Sequence, residues 1–273
     1  DNPKLQVSEA LNLAIKRSKG SVVVRLDVHC VFPKDYISTL VAYLLTGSEV
    51  GNVGVPCVTL PGGTGEVAVA ISLVLSTPIG VGGSSFRVDS PETPKSVDTV
   101  PFGCWRRDLF DQIGYFDTDL TRNQDDEFNQ RILKHGLKIH LLPGPRVVYF
   151  GRDKLLSHLK MFYQYGLFKP LVNRKIGKVT TLRQLAPVSL VLFLLSLCSI
   201  GSIFPTVSIV GFLTTVCGYL TAAAYVLRNY SGSRARVYIP FVCCVVMTHL
   251  AYGVGYLEGL FFGSNNRKIS LSR

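Results

Sequence analysis

The sequence predicts an α/β domain followed by a bundle of membrane-spanning helices. Strand-like and helix-like apolar patterns alternate through residues 1–170. Three long uncharged runs follow, at 184–204, 206–227 and 237–257. Hydrophobic residues make up 47% of the chain against 17% charged, and mean hydropathy is +0.30, too apolar for an ordinary soluble domain.

The first element is a helix over 8–19, where Ser8 caps the start, Leu11, Ala14 and Ile15 share a face and Gly20 ends it. Residues 21–27 (SVVVRLD) read as a buried, valine-rich strand ending on an acid. An amphipathic helix at 34–46 follows Pro33, and 52–58 is a second strand. This alternation predicts a layered structure with a largely parallel sheet. The apolar run 67–82 is too short to span a bilayer and is broken by Pro78 and glycines, so it reads as a buried helix leading into a loop. Residues 83–98, rich in Ser, Pro and charge, read as a flexible loop. Short helices are expected at 106–113 and 123–135, strands at 137–142 and 146–149, and an amphipathic helix at 153–170.

Each of the three uncharged runs has at least 21 residues, enough for a hydrocarbon core of about 30 Å. Gly201, Gly211 and Gly218 permit close helix packing. Arg174, Lys175, Lys178 and Arg183 precede the first run, and Arg228, Arg234 and Arg236 separate the second from the third. The positive-inside rule puts both segments in the cytosol. A third full span would send the C-terminus outward, whereas Arg267, Lys268 and Arg273 draw it inward, so its side stays open. The division expected is an α/β domain over 1–170, a basic linker over 171–183, membrane helices over 184–262 and a basic tail over 263–273.

Net charge is +11, which suits an anionic membrane surface and phosphate-bearing substrates. No basic stripe with interleaved aromatics is present, so no nucleic-acid partner is expected. Seven cysteines without a CxxC argue against structural zinc or a disulfide framework. The chain opens on Asp1 partway into what reads as a folded unit, so a further N-terminal segment is expected upstream.

Asp27 stands at a predicted strand end with His29 two positions on. Carboxyl ends of strands line the ligand crevice of open α/β sheets. A carboxylate there suits Mg²⁺ or Mn²⁺, and the imidazole tilts the choice to Mn²⁺; the plain alternative is a strand-end acid capping a turn. Gln124-Asp125-Asp126-Glu127 opens a helix. Its acids either complement the positive helix terminus or supply one carboxylate as a general base. Arg131, six residues after Asp125, is expected to support that site. Trp105, beside Arg106 and Arg107, is either a sugar-stacking platform or a core residue. Gln164 and Lys169 close the amphipathic helix near the membrane, where Lys169 would meet a phosphate or lipid headgroups.

The strings ALNLAI, RLDVHCVFPKDYI, GVGGSSFR, VPFGCWRRDLFDQIGYFD, NQDDEFNQRI and MFYQYGLFK, in this order over residues 8–170, resemble family 2 glycosyltransferases of the GT-A fold. Within them they look most like the succinoglycan branch of exopolysaccharide glucosyltransferases. The resemblance implies a mixed GT-A sheet and inverting transfer of a sugar, glucose in that branch, from a nucleotide-sugar such as a UDP-sugar. The acceptor implied is a lipid-linked saccharide, and the location is the cytoplasmic membrane, multi-pass, with the catalytic domain in the cytosol. Asp27-Val28-His29 stands where the family has its metal-binding D-x-D. The family's acidic pair followed by arginine six residues later selects Asp125 as base, with Trp105, Asp126, Arg131, Gln164 and Lys169 at the acceptor. Gln164 and Lys169 do not spell the Q-x-x-R-W of processive synthases. The rival readings are a glycolipid synthase acting on a lipid acceptor and a non-catalytic sugar-binding membrane subunit.

Overall fold

The computed structural model describes residues 6–263; the basic tail residues Arg267, Lys268 and Arg273, and whatever precedes Asp1, lie outside them. The first half runs α1 (Val7–Arg17), β1 (Val22–Val24), β2 (Cys30–Val31), α2 (Tyr36–Leu44), β3 (Val50–Gly54) and β4 (Cys57–Leu60). Then come α3 (Glu66–Leu75), α4 (Pro78–Val81), α5 (Ser85–Val88), β5 (Lys95–Ser96), β6 (Cys104–Arg106) and α6 (Asp108–Ile113). The rest is α7 (Gln124–Lys134), β7 (Lys138–Leu141), β8 (Val147–Phe150), α8 (Leu155–Ile176), α9 (Leu185–Ile200), α10 (Pro205–Leu227) and α11 (Arg234–Phe261).

The strands form a five-stranded sheet ordered β1-β6-β3-β7-β5 and a three-stranded sheet ordered β2-β8-β4. The largely parallel sheet expected from alternation is corrected. In the larger sheet only β3 and β7 pair in parallel, while β6 runs against both β1 and β3, and β5 runs against β7. The reason is β6, whose three residues insert between β1 and β3. The strand expected over 21–27 is shorter and only partly buried, so Arg25 to Asp27 lie beyond its end. The segment 83–98 holds a short helix and an edge strand rather than loop alone.

Contacts divide the chain into two compact units, and the chain passes between them after residues 59, 83, 150, 171 and 180. The first holds 1–59, 84–150 and 172–180. It has two cores, as a sheet covered on both faces requires. One gathers Trp105, Phe110, Phe116, Phe128, Ile132, Ile139 and Leu141; the other gathers Tyr36, Leu40, Leu44, Val50, Val53 and Phe102. Helix α1 is clipped on by Asn12, whose Nδ2 donates to the Phe116 carbonyl (2.8 Å) and whose Oδ1 accepts from the Phe116 N–H (3.0 Å). At the centre, Asn52 is fully buried in an otherwise apolar strand. Its Oδ1 accepts from the Cys104 N–H (3.0 Å) and its Nδ2 donates to Asn129 Oδ1 (2.8 Å). Asn129 Nδ2 then donates to Thr99 Oγ1 (2.8 Å). These bonds lock α7 to β3 and β6.

The second unit holds 60–83, 151–171 and the chain from 181 onward, so α3, α4 and most of α8 group with the long helices. Among the described residues, three helices are long and apolar enough to cross a membrane: Leu182–Ile200, Pro205–Leu227 and Arg234–Phe261. The last spans 28 residues, or about 42 Å, more than a bilayer core needs. Its C-terminal half is shaped by glycines. A Cβ on Gly255 would lie 2.2 Å from the Tyr163 carbonyl oxygen, one on Gly259 2.1 Å from that of Leu167, and one on Gly166 2.1 Å from that of Tyr252. Helices α8 and α11 therefore touch backbone to backbone. Polar bonds fix the register: His158 Nε2 with Thr248 Oγ1 at 2.9 Å, and Tyr163 donating its hydroxyl to Glu258. His249 Nε2 donates to the Ile79 carbonyl (2.8 Å), which leaves Nδ1 to accept from the Tyr219 hydroxyl (2.7 Å). That tautomer follows because a carbonyl only accepts.

Gly255→Ala is expected to lower stability by about 1–3 kcal/mol, a fall in Tm of about 3–10 °C. Gly218→Ala, where nothing lies within 4 Å of the added carbon, is expected to be neutral. Thermal unfolding in detergent compares the two.

Candidate active site

Beyond β1 the chain stays extended through Arg25 to Asp27 and then turns, with the Cys30 N–H donating to the Asp27 carbonyl (3.1 Å). Residues two apart on an extended chain share a face. Arg25 therefore reaches Asp27 with a two-pronged ion pair: Nε to Oδ1 at 2.9 Å and Nη2 to Oδ2 at 3.0 Å. His29 is exposed and meets the Tyr149 ring edge-on, with centroids 5.3 Å apart. The Arg87 guanidinium lies over the same ring and donates to Thr59 Oγ1 at 3.0 Å.

The neighbouring loop is strained. Phe102 has φ +63°, and the Gly103 N–H donates back to the Pro101 carbonyl at 2.7 Å, a three-residue γ-turn that a bulky side chain rarely adopts. The Phe102 ring, packed edge-on to Phe32, holds the turn in place. The Arg25 N–H donates to the Gly103 carbonyl (3.1 Å). Asn123, also left-handed at φ +62°, precedes α7. Such outliers cluster where a fold positions functional groups.

Asp125 and Asp126 occupy the first turn of α7, both partly exposed, and Asp125 Oδ1 accepts from the Asp126 N–H (2.9 Å). Asn129 lies one turn after Asp125 on the same helix face. Because Asn129 is hydrogen-bonded to Asn52 in the sheet, Asp125 stands on the sheet-facing side of α7 at its open end. A chain of bonds runs from Asp27 to α7, ending one helical turn after Asp125: Asp27 to Arg25, Arg25 to Gly103, Cys104 to Asn52, Asn52 to Asn129.

Three expectations are corrected. Arg131 does not serve Asp125. Six residues of helix carry a side chain to the far side, whereas four restore the face, and Arg131 pairs with Glu127 through Nε to Oε1 at 2.6 Å and Nη2 to Oε2 at 2.9 Å. It also donates to the carbonyls of Ile113 (2.6 Å) and Tyr115 (2.7 Å). Trp105 is 3% exposed, with its ring 5.9 Å from those of Phe110, Phe116 and Phe128, so it is core and presents no face to a sugar. Arg106 and Arg107 hold the backbone carbonyls of Leu44, Gly47, Val50, Ile15 and Gly20. Gln164 and Lys169 are both buried in α8, in the second unit, so neither faces solvent or a headgroup layer.

Burial pushes the Glu127 carboxyl above its usual range, with Arg131 acting against that shift. At 3% exposed and paired, it is a structural acid. Reading the sequence missed Arg25, Asn52, Arg87, Asn129 and Tyr149. Asn52 carries the one available signal, an amide inside a buried apolar strand.

For a divalent cation the donor set is small. Among the described residues no group of three His, Cys, Asp or Glu side chains could hold a metal. Asp27 and His29 would serve only as part of a site that takes one or two protein ligands and completes its shell with substrate phosphate oxygens.

Residues 2–70 match the family described as Glycosyl transferase family 2. In fold, the chain is similar to the mannosyltransferase of Pyrobaculum calidifontis solved with GDP-Man and Mn²⁺, at a TM-score of 0.51 and 17% identity, covering 91% of this chain and 66% of that one. The class these observations define is a glycosyltransferase with a GT-A fold, similar over residues 2–70 to family 2. Its relatives are more particular. The succinoglycan biosynthesis protein ExoA of Rhizobium meliloti (strain 1021) is 27% identical over 95% of this chain and 76% of its own length. The dolichyl N-acetyl-alpha-D-glucosaminyl phosphate 3-beta-D-2,3-diacetamido-2,3-dideoxy-beta-D-glucuronosyltransferase of Methanococcus voltae is 25% identical over 98% of this chain and 79% of its own length.

Arg131→Met is expected to cost about 3–5 kcal/mol near neutral pH, because it leaves Glu127 buried and charged. The sign with pH follows from the raised Glu127 carboxyl. A group raised in the folded state favours folding below its unfolded pKa, and that benefit is lost as pH rises through the folded value. Without Arg131 the carboxyl rises further, so the deficit should shrink as pH falls from about 7 toward about 4. Thermal unfolding of both proteins across that range measures it.

Proposed function

We propose that this glycosyltransferase moves a sugar, glucose from UDP-glucose, onto a lipid-linked saccharide at the cytoplasmic membrane during extracellular polysaccharide synthesis, with inversion at the anomeric carbon. The observation that carries the reading is the bonded path joining the Asp27 turn to Asn129, one helical turn after Asp125 on α7. It fixes a partly exposed carboxylate, Asp125, relative to a turn bearing Arg25, Asp27 and His29.

In this reading the donor diphosphate lies at the Asp27 turn. Asp125 accepts the proton of the acceptor hydroxyl as that oxygen attacks the anomeric carbon, and the bond from that carbon to the diphosphate breaks. General-base assistance of this kind contributes roughly 10²–10⁴-fold. Asp126, next to Asp125, contacts the acceptor. A divalent cation, Mn²⁺ or Mg²⁺, held by Asp27 and His29 supplies charge neutralisation to the leaving diphosphate when bound. The lipid-linked acceptor is supported by the three long apolar helices and by the relative whose name specifies a dolichyl phosphate sugar. Extracellular polysaccharide is supported by the succinoglycan relative. Catalysis in the cytosol is supported by the basic residues at 174–183 and 228–236.

Asp125→Asn is expected to lower transfer from UDP-glucose by about 10²–10⁴-fold with donor binding retained; turnover near wild type would remove Asp125 as base. GDP-mannose, the donor named with the structural neighbour, is the comparison substrate. A chelator is expected to abolish transfer, and added Mn²⁺ or Mg²⁺ to restore it. Full activity in chelator would remove the cation from Asp27 and His29.

A further inference from the structure

The Arg25–Asp27 ion pair has a role beyond shaping the turn. Both Asp27 oxygens are already engaged by the guanidinium, and the two side chains are only 21% and 14% exposed. A two-pronged arginine–carboxylate contact is among the stronger polar contacts in proteins. Arg25 is also fixed from behind, since its N–H donates to Gly103 in the strained turn. A divalent cation approaching Asp27 would meet a carboxylate whose charge is spent and a guanidinium within repulsive range. No cage of three ligating side chains among the described residues offsets that repulsion.

A diphosphate changes the balance. It carries its own negative charge, supplies oxygens to complete a cation's shell, and presents the planar oxygen pairs that a guanidinium fork recognises. A second guanidinium, Arg87, is poised over Tyr149, the same ring that His29 abuts. Tyr149 pairs with Cys30 across β2 and β8, which brings Arg87 to the strand that follows the Asp27 turn.

We propose that Arg25 is the resident counter-ion of Asp27 and makes cation binding conditional on the donor: the diphosphate takes over the guanidinium, and only then is the Asp27 carboxylate open to a divalent cation. This rests on the proposed function in one respect, that the donor diphosphate lies at this turn. Arg25 is thus a positioning residue that sets the order of binding.

The test is Mn²⁺ binding to the full chain in detergent, read from the electron paramagnetic resonance signal of free Mn²⁺, with and without saturating UDP. UDP retention is measured by equilibrium dialysis in the same samples. Wild type should bind Mn²⁺ weakly alone and at least about tenfold more tightly with UDP, after correction for Mn²⁺ binding to UDP itself. Arg25→Gln should bind Mn²⁺ alone at least about tenfold more tightly than wild type and lose most of the UDP enhancement. Arg25→Lys keeps the charge without the fork and, should the glutamine variant fail to fold, is expected to bind Mn²⁺ alone more tightly than wild type by a smaller factor. Asp27→Asn should show no UDP-linked Mn²⁺ site. Equal Mn²⁺ affinity in wild type and either arginine variant, with UDP still retained, overturns the counter-ion role and leaves the donor site standing. No UDP retained by wild type, with or without Mn²⁺, overturns the donor site and this inference with it.

Discussion

Asn52 and Asn129 meet where neither side chain has water to fall back on, and the first unit is organised around that meeting. A buried amide left without a partner costs on the order of 1–3 kcal/mol. Asn52 avoids that cost only if β6 runs alongside to give its Cys104 N–H and α7 lies across to give Asn129. Strand order and helix placement thus answer to one residue. The same contact sets the rotation of α7 about its axis, and with it the side on which Asp125 emerges. An apolar pair of similar size would fill the space without fixing that rotation, which is why a polar contact at this position specifies structure more than it stabilises it.

The second unit follows a different rule. Its helices approach where side chains are missing, at Gly166, Gly253, Gly255 and Gly259, and single polar bonds then choose the register. In an apolar surrounding, hydrophobic burial does not distinguish one helix neighbour from another, so shape and a few hydrogen bonds carry the specificity. The short helices α3 and α4 take part in this packing through the Ile79 carbonyl, although their chain neighbours belong to the sheet unit.

Much of the architecture was legible in the sequence, because helix periodicity and long uncharged runs are local signals. The helices around residues 8–19, 34–46 and 123–135 and the three long apolar segments lie within a few residues of where the pattern put them. Strand direction was not legible: the three residues of β6 carry no periodicity of their own, and pairing is decided by Asn52, 52 positions earlier. The site was legible as acids at the right places and illegible as geometry. Spacing by six residues tied Arg131 to Asp125, but helical rotation gives it to Glu127. Trp105 looks alike in sequence whether it stacks on a sugar or on Phe128, and only its neighbours decide. Arg25 lay in plain view two positions before Asp27, yet the value of that spacing depends on the backbone staying extended past the end of β1.

The partners that lock α8 onto α11 stand far apart along the chain: His158 and Thr248 are separated by 90 positions, Tyr163 and Glu258 by 95. During synthesis, the face of α8 bearing Gly166 emerges long before the glycines of α11 that complete it. Contacts this distant in sequence form late. The 172–180 segment, which begins within the last turns of α8, groups with the sheet unit. The helical unit therefore closes only when the last long helix arrives, so truncation or slow insertion of α11 would leave α8 without the backbone it packs against.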